Sequence, residues 1–245
     1  MGYHWNWLVF AQPVPTGETT FLGWLLAGLR MTLLLSAVSW VLALALGTAM
    51  GVLRTVPSRP LRAIAAVYVE TFRNVPLLAQ LFIWYFVMPE LLPFGERFKQ
   101  LNPMLQQFLA STACLALFTG ARVCEQVRAG INALARGQKN AALALGFTLP
   151  QAYRHVLLPV AGRLIVPPLT SEMLNTFKNS AVCSTIGLLE LAAQGRQLVD
   201  YTSQAYESFI AVTVLYLIIN VAIMLIMRQV EKHTRVPGLI GTADR

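Results

Sequence analysis

Charged residues are scarce in this chain: they make up 12% of its 245 residues, against 56% hydrophobic ones, and acids are scarcer than bases, 11 against 19. So little polarity argues against a soluble domain and for a polytopic membrane protein. The net charge of +8 would suit nucleic acid if the cations formed one patch. They fall between apolar runs instead, the pattern of a positive-inside membrane protein, and nucleic acid is set aside as a partner. Cysteine is limited to Cys114, Cys124 and Cys183, an odd number with no CxxC spacing. These read as reduced packing residues and not as metal ligands or a disulfide framework. The histidines, His4, His155 and His233, lie far apart, and neither HExxH nor GxSxG is present. No catalytic, metal or cofactor-binding residue is therefore expected, and the chain is not read as an enzyme. No GxxxxGK[ST] phosphate loop exists, so ATP hydrolysis would fall to another chain. No Lys or Arg precedes the apolar residues of MGYHWNWLVF, which therefore lacks a signal-peptide n-region; Tyr3, Trp5, Trp7 and Phe10 read as an interfacial aromatic anchor. No internal repeat or low-complexity tract marks a second domain.

Apolar runs are what the sequence has in plenty. About 20 residues cross roughly 30 Å of hydrocarbon. Met31 to Leu53, Pro103 to Ala121 and Ser208 to Met227 qualify without charges. Leu61 to Met88 carries Glu70 and Arg73 beside Pro76, and Leu164 to Leu189 carries Glu172 and Lys178. Ionisable groups inside a span are costly and face protein or a water-filled cavity, so a solute pathway is sought in these two. Five spans put the termini on opposite sides. Arg54, Arg59 and Arg62, then Arg122 to Arg163, then Arg228, Lys232 and Arg235 share the cytoplasmic side if the N-terminus is periplasmic and the C-terminus cytoplasmic.

Gly47 and Gly51 form a GxxxG within the first span, where a second helix backbone can approach, from this subunit or from another. Glu172, Asn175 and Asn179 recur at i, i+3 and i+7 with Lys178 beside them, one polar face that either lines a solute path or forms a buried seam. Arg73, Asn74 and Gln80 pose the same choice: they meet solute, or they satisfy carbonyls freed by Pro76.

The segment QKNAALALGFTLPQAYRHVLLPVA, from Gln138 to Ala161, is too polar to cross a bilayer and lies in the most basic loop. It resembles the EAA loop of type I ATP-binding cassette importer permeases: Ala141, Ala142, Gly146, Leu158 and Pro159 match that pattern, Val156 replaces an Ile, and Asn140 replaces the Glu. YVETFRNVPLLAQLFIWYF, from Tyr68 to Phe86, looks like the second-span signature of the polar amino-acid permeases. Gly120 to Pro159 together with Ile165 to Ala181 is similar to the permeases that import glutamate and aspartate.

The resemblance covers about Leu22 to Arg235. It implies an all-α, MetI-like type 1 transmembrane fold of about five helices plus a cytoplasmic coupling helix. The expected organisation is an interfacial segment 1–20, a transmembrane domain 21–228 with the coupling loop near 138–159, and a cytoplasmic tail 229–245. The implied function is uptake of acidic amino acids across the inner membrane of a Gram-negative bacterium by alternating access. A permease for another polar amino acid or amide is the alternative within the family; a self-contained secondary transporter or channel lies outside it. Implied partners are two ATPase subunits that bind the ATP and Mg, a second and different permease chain, a periplasmic substrate-binding protein and membrane lipid. Asn140, Ala141, Ala142, Gly146, Leu158 and Pro159 would form the ATPase contact, with the small residues seated in a cleft and Pro159 stopping the polar segment before the next span. Arg73, Asn74, Glu172, Asn175, Lys178 and Asn179 are the candidate pathway residues.

Overall fold

A computed structural model describes residues 3–15, 17, 19–93, 95–134 and 136–234. Arg235, in the third cationic cluster, and the rest of the C-terminal tail lie outside them. Helices dominate, and the extended pairing among the described residues is one isolated antiparallel bridge, Pro13 with Thr20. In chain order the helices are α1 (Phe21–Leu53), α2 (Arg59–Asn74), α3 (Leu77–Phe82), α4 (Met88–Leu91), α5 (Gly95–Lys99), α6 (Pro103–Asn132), α7 (Arg136–Ala144), α8 (Leu149–Ala152), α9 (Leu158–Asn179), α10 (Leu191–Thr202) and α11 (Ala205–Thr234). Short 3₁₀ turns cover Trp7–Ala11 and Ser180–Ile186.

Three helices, α1, α6 and α11, are long and apolar enough to cross a bilayer, with 33, 30 and 30 residues. At 1.5 Å per residue each exceeds the roughly 30 Å hydrocarbon core. The other two expected spans are built from shorter pieces. Leu61 to Met88 is not one helix: α2 ends at Asn74, Pro76 takes a non-helical ψ of 138°, and the apolar helical stretch Leu77–Leu91 follows. Pro76 has no N–H to give and pushes the residue before it out of the helical region. Gln80 closes the gap by donating from Nε2 to the Val75 carbonyl at 2.8 Å.

Two π-turns share one cause. Ile83–Val87 ends two residues before Pro89, and Tyr153–Leu157 ends two residues before Pro159. A proline cannot bond the carbonyl four residues back and its ring presses on it; a wider turn just upstream relieves both. Pro159 therefore does not stop the polar segment, as the sequence led us to expect: helical backbone runs from Leu149 to Asn179.

The chain divides into two compact units. The first comprises Met1–Val41, Val75–Ala116 and Asn175–Val221. Its core gathers Leu35, Leu81, Ala110, Cys114, Leu115, Cys183, Ile186 and Leu188. Helix α10, which falls in a stretch the sequence presents as a loop, packs here through Leu191, Ala193, Gln194, Gly195 and Leu198. Glu190 is fully buried at its N-terminus. Its carboxylate accepts from the N–H groups of Ala192 (3.0 Å) and Ala193 (2.8 Å) and from the Tyr216 hydroxyl (2.8 Å). Thr32 Oγ1 accepts from Leu191 N–H at 3.1 Å, so α1, α10 and α11 meet around one satisfied carboxylate. Toward the N-terminus, Glu207 accepts from the Tyr3 hydroxyl and from Asn6 N–H, and Tyr3, Trp5 and Tyr206 cluster around this contact. The Lys99 ammonium bridges Glu90 (2.8 Å) and Glu96 (3.0 Å), and these two acceptors hold its pKa above the usual lysine value.

The second unit comprises Leu42–Asn74, Leu117–Leu174 and Ala222–Arg245. Here the GxxxG question is settled in favour of packing within the subunit. A Cβ on Gly47 would stand 2.6 Å from the Gly120 carbonyl oxygen and from Val123 Cβ; one on Gly51 would stand 2.6 Å from Val127 Cβ. Hydrocarbon tails are as apolar as Leu, so close helix contact of this kind, and not water exclusion, holds α1 on α6. The Tyr68 hydroxyl adds a hydrogen bond from α2 to the Leu117 carbonyl at 2.8 Å.

Candidate coupling surface and polar pathway

Helix α7 ends in a Schellman motif. The Gly146 N–H bonds the Leu143 carbonyl at 3.0 Å and the Phe147 N–H bonds the Ala142 carbonyl at 3.1 Å, with Gly146 at φ +87°. Those two bonds satisfy carbonyls that the helix end would otherwise orphan, and they demand a residue at ease with positive φ. The chain restarts at once: Gln151 Oε1 accepts from Thr148 N–H (2.8 Å) and Oγ1 (2.9 Å) at the start of α8. The glycine of the motif is thus a helix terminator.

The outward surface of this region differs from expectation. Ala142 is only 3% exposed, turned into its own chain, and so does not offer a seat to a partner. Ala141 is exposed, and with it the larger apolar groups Leu143, Leu145 and Phe147, Leu145 at 79%. Asn140 lines a cavity of about 570 Å³ together with Lys139, Thr55, Asn132, Tyr153 and Leu157. Leu158 is half-buried and Pro159 exposed on the helix that leads away. Behind α7 the buried Tyr153 sends its hydroxyl to Thr55 Oγ1 at 3.1 Å, fixing the π-turn to the segment after α1.

In the second unit α6 carries a charge centre that the sequence reading did not assemble. Arg128 donates to Glu125 Oε2 from two nitrogens (2.7 and 3.1 Å), Arg54 reaches Oε1 at 3.0 Å, and Arg73 stands at 4.0 Å. The fork from Arg128 is the strong contact, and the half-exposed Arg73 adds little. Arg122, Glu125 and Arg128 at i, i+3 and i+6 are the signal that was available. One helical turn before this centre, Arg122 pairs with the buried Glu172 at 3.9 Å and lies 4.8 Å over the Phe118 ring. Asn74 donates to Glu70 at 2.9 Å. Of the expected pathway residues in this unit, Glu172, Arg73 and Asn74 therefore all have protein partners. In the first unit Asn175 and Asn179 are half-buried, and Lys178 is exposed and makes no ion pair with any described residue.

Long apolar helices and proline-broken shorter ones, with a glycine-capped polar helix between them, define a helical membrane protein. A family model described as "Binding-protein-dependent transport system inner membrane component" matches residues 43–236, and the chain belongs to this family. It is 57% identical over 244 residues to the glutamate/aspartate import permease protein GltJ of Escherichia coli K12, covering 98% of this chain and 99% of that one. A crystal structure of an amino acid ABC transporter with histidines matches 87% of this chain and 95% of its own at 29% identity, with a TM-score of 0.73. The inward-facing MetNI methionine transporter matches 88% and 98% at 23% identity and a TM-score of 0.75, a likeness of fold. The chain is a multi-pass inner-membrane permease subunit of an ATP-binding cassette importer with the MetI-like fold. Its family implies a separate ATPase and a substrate-binding protein as partners.

Proposed function

We propose that this permease imports acidic amino acids, glutamate and aspartate, from periplasm to cytoplasm. The observation that carries the reading is the 57% identity along essentially the whole of both chains to a protein named for those solutes. Two ATPase subunits hold the ATP and Mg, and a second, different permease chain completes the pathway. ATP binding closes the ATPase dimer, and its free energy acts here only through the difference in affinity between open and closed states. The exposed apolar edge formed by Ala141 and Leu143 of α7 and by Leu145 and Phe147 just beyond it receives that movement. Lys178 offers an ammonium to the solute carboxylates beside Asn175 and Asn179, while Glu172 serves as counter-ion to Arg122.

The test is uptake by the complete importer in proteoliposomes. Labelled glutamate should enter with ATP and binding protein, aspartate should compete, and glutamine and arginine should not. Stronger competition by either of the latter overturns the solute assignment. The cationic loops lie in the cytoplasm and the N-terminus outside. A cysteine replacing Lys139 should therefore react with an impermeant thiol reagent only in inside-out vesicles, and one replacing Glu96 only in spheroplasts. Reaction of both from one side overturns the orientation.

A further inference from the structure

At the start of α2 a solvent-open cavity of about 390 Å³ is lined by Arg54, Arg59, Arg62 and Arg128, with Ala63 and Ala66 as its apolar wall. Glu125 engages Arg54 and Arg128 from one side. No described carboxylate stands within ion-pair distance of Arg59 or Arg62, and the single acid of α2, Glu70, is hydrogen-bonded to Asn74. Four guanidiniums face one carboxylate, so the cavity carries a surplus of positive charge in the fork geometry that suits phosphate oxygens.

The apolar wall does not end at the cavity. Ala63 is followed one turn on by Val67, and Val67, Ile64 and Leu61 succeed one another at three-residue steps along an exposed stripe, 67%, 59% and 39% exposed. The stripe runs about 9 Å along the helix axis at 1.5 Å per residue. A free amino acid or inorganic anion has no use for it. A molecule with a phosphate at one end and a hydrocarbon chain at the other uses both features. We propose that this surface binds an anionic phospholipid, its phosphate among Arg54, Arg59, Arg62 and Arg128 and an acyl chain along Leu61, Ile64 and Val67.

The complete importer, purified and delipidated in detergent, is offered equimolar phosphatidylglycerol and phosphatidylcholine with identical acyl chains, and retained lipid is read by native mass spectrometry. Phosphatidylglycerol should be preferred, and Arg59→Gln with Arg62→Gln should reduce that preference roughly tenfold to thirtyfold, the effect of removing two cations at a membrane surface. Arg59→Lys with Arg62→Lys keeps the charge and loses the fork; it should fall between, and it stands in if the glutamine variant does not assemble. Leu61→Ser with Ile64→Ser should weaken retention of phosphatidylglycerol. Equal retention of the two lipids by the unaltered importer, or an unchanged preference in both arginine variants, overturns the proposal. Displacement of phosphatidylglycerol by millimolar inorganic phosphate would make this a small-anion site, and displacement by millimolar glutamate a solute vestibule; either result also overturns it.

Discussion

Replacing Gly146 separates two reasons why a glycine stands there. If the residue is needed for low relief against the ATPase, any side chain is harmful in proportion to its bulk. If it is needed as the C-terminal cap of α7, the harm follows backbone conformation. A Cβ at Gly146 would meet nothing within 4 Å in this chain, so the subunit itself presents no steric obstacle. The φ of +87° does: an ordinary L-residue in the left-handed region pays about 1–2 kcal/mol, and a β-branched one more. Asn tolerates that region. Helix α7 has nine residues, too few for an isolated helix to be stable, so a penalty of this size shifts its folded fraction by about fivefold to thirtyfold. Gly146→Val should therefore insert normally yet lose most of its ATPase during purification, and ATP hydrolysis in what remains should respond poorly to loaded binding protein. Gly146→Asn should retain both. The ratio of ATPase to permease after size-exclusion chromatography, with membrane-inserted protein measured beforehand, reads the difference. If Gly146→Asn fails as badly as Gly146→Val, the requirement is steric and the capping argument is wrong. Full retention and transport by Gly146→Val would remove α7 from coupling altogether.

Gly47→Val should lower the melting temperature of the detergent-purified complex, since overpacking a contact with the Gly120 carbonyl and Val123 costs about 1–3 kcal/mol, whereas Gly162→Ala, with nothing within 4 Å, should not; no shift for Gly47→Val would contradict the α1–α6 contact. Glu125→Ala should destabilise by about 1.5–3 kcal/mol through loss of the charge-assisted hydrogen bonds from Arg128 and of the ion pair with Arg54, and Arg73→Ala by less than about 1 kcal/mol; thermal melts giving the reverse order would refute the minor part assigned to Arg73. Lys178→Met should raise the solute concentration needed for half-maximal uptake without disturbing assembly, and Asn179→Leu should do the same more weakly. Unaltered uptake in both would make this face packing and not pathway.

The sequence reveals α1, α6 and α11 because a long charge-free apolar run leaves a helix few alternatives in a bilayer. It does not reveal α10. That helix has 12 residues with one buried face, and its caps, Glu190 at the start and Ser203 in the left-handed region at the end, are not residue types that commonly mark helix ends. Glu190 reads as a surface charge because a lone acid after an apolar run usually is one; only the convergence of Ala192, Ala193 and Tyr216 makes it a buried cap. At the coupling segment the motif gives the position of each small residue but not its direction. Ala141 and Ala142 are equally small, and the buried one is the one that packs at home. Glu125 was within reach, since Arg122 and Arg128 flank it at helical spacing, but Arg54 and Arg73 come from other elements and no spacing rule connects them.

The distance between the glycine and the proline of the coupling motif then acquires a physical meaning. Gly146 ends α7 and Thr148 opens the next helix, so only a short link at Phe147 separates them and little slack can absorb a displacement. Pro159 places a π-turn at Tyr153–Leu157, and α7 packs against that turn, with Ala142 buried on one side and Tyr153 and Leu157 on the other. The Tyr153 hydroxyl carries the contact on to Thr55, beyond the end of α1. A push on the exposed edge at Leu145 therefore reaches α9 by two routes, the short covalent link and the packed face. Lengthening the link alone would leave the second route intact. Replacing Ala142 with a larger residue should spoil the packed face while leaving the capped helix end in place, so an importer carrying Ala142→Leu is expected to keep its ATPase and lose uptake; unchanged uptake would show that the packed face carries no movement.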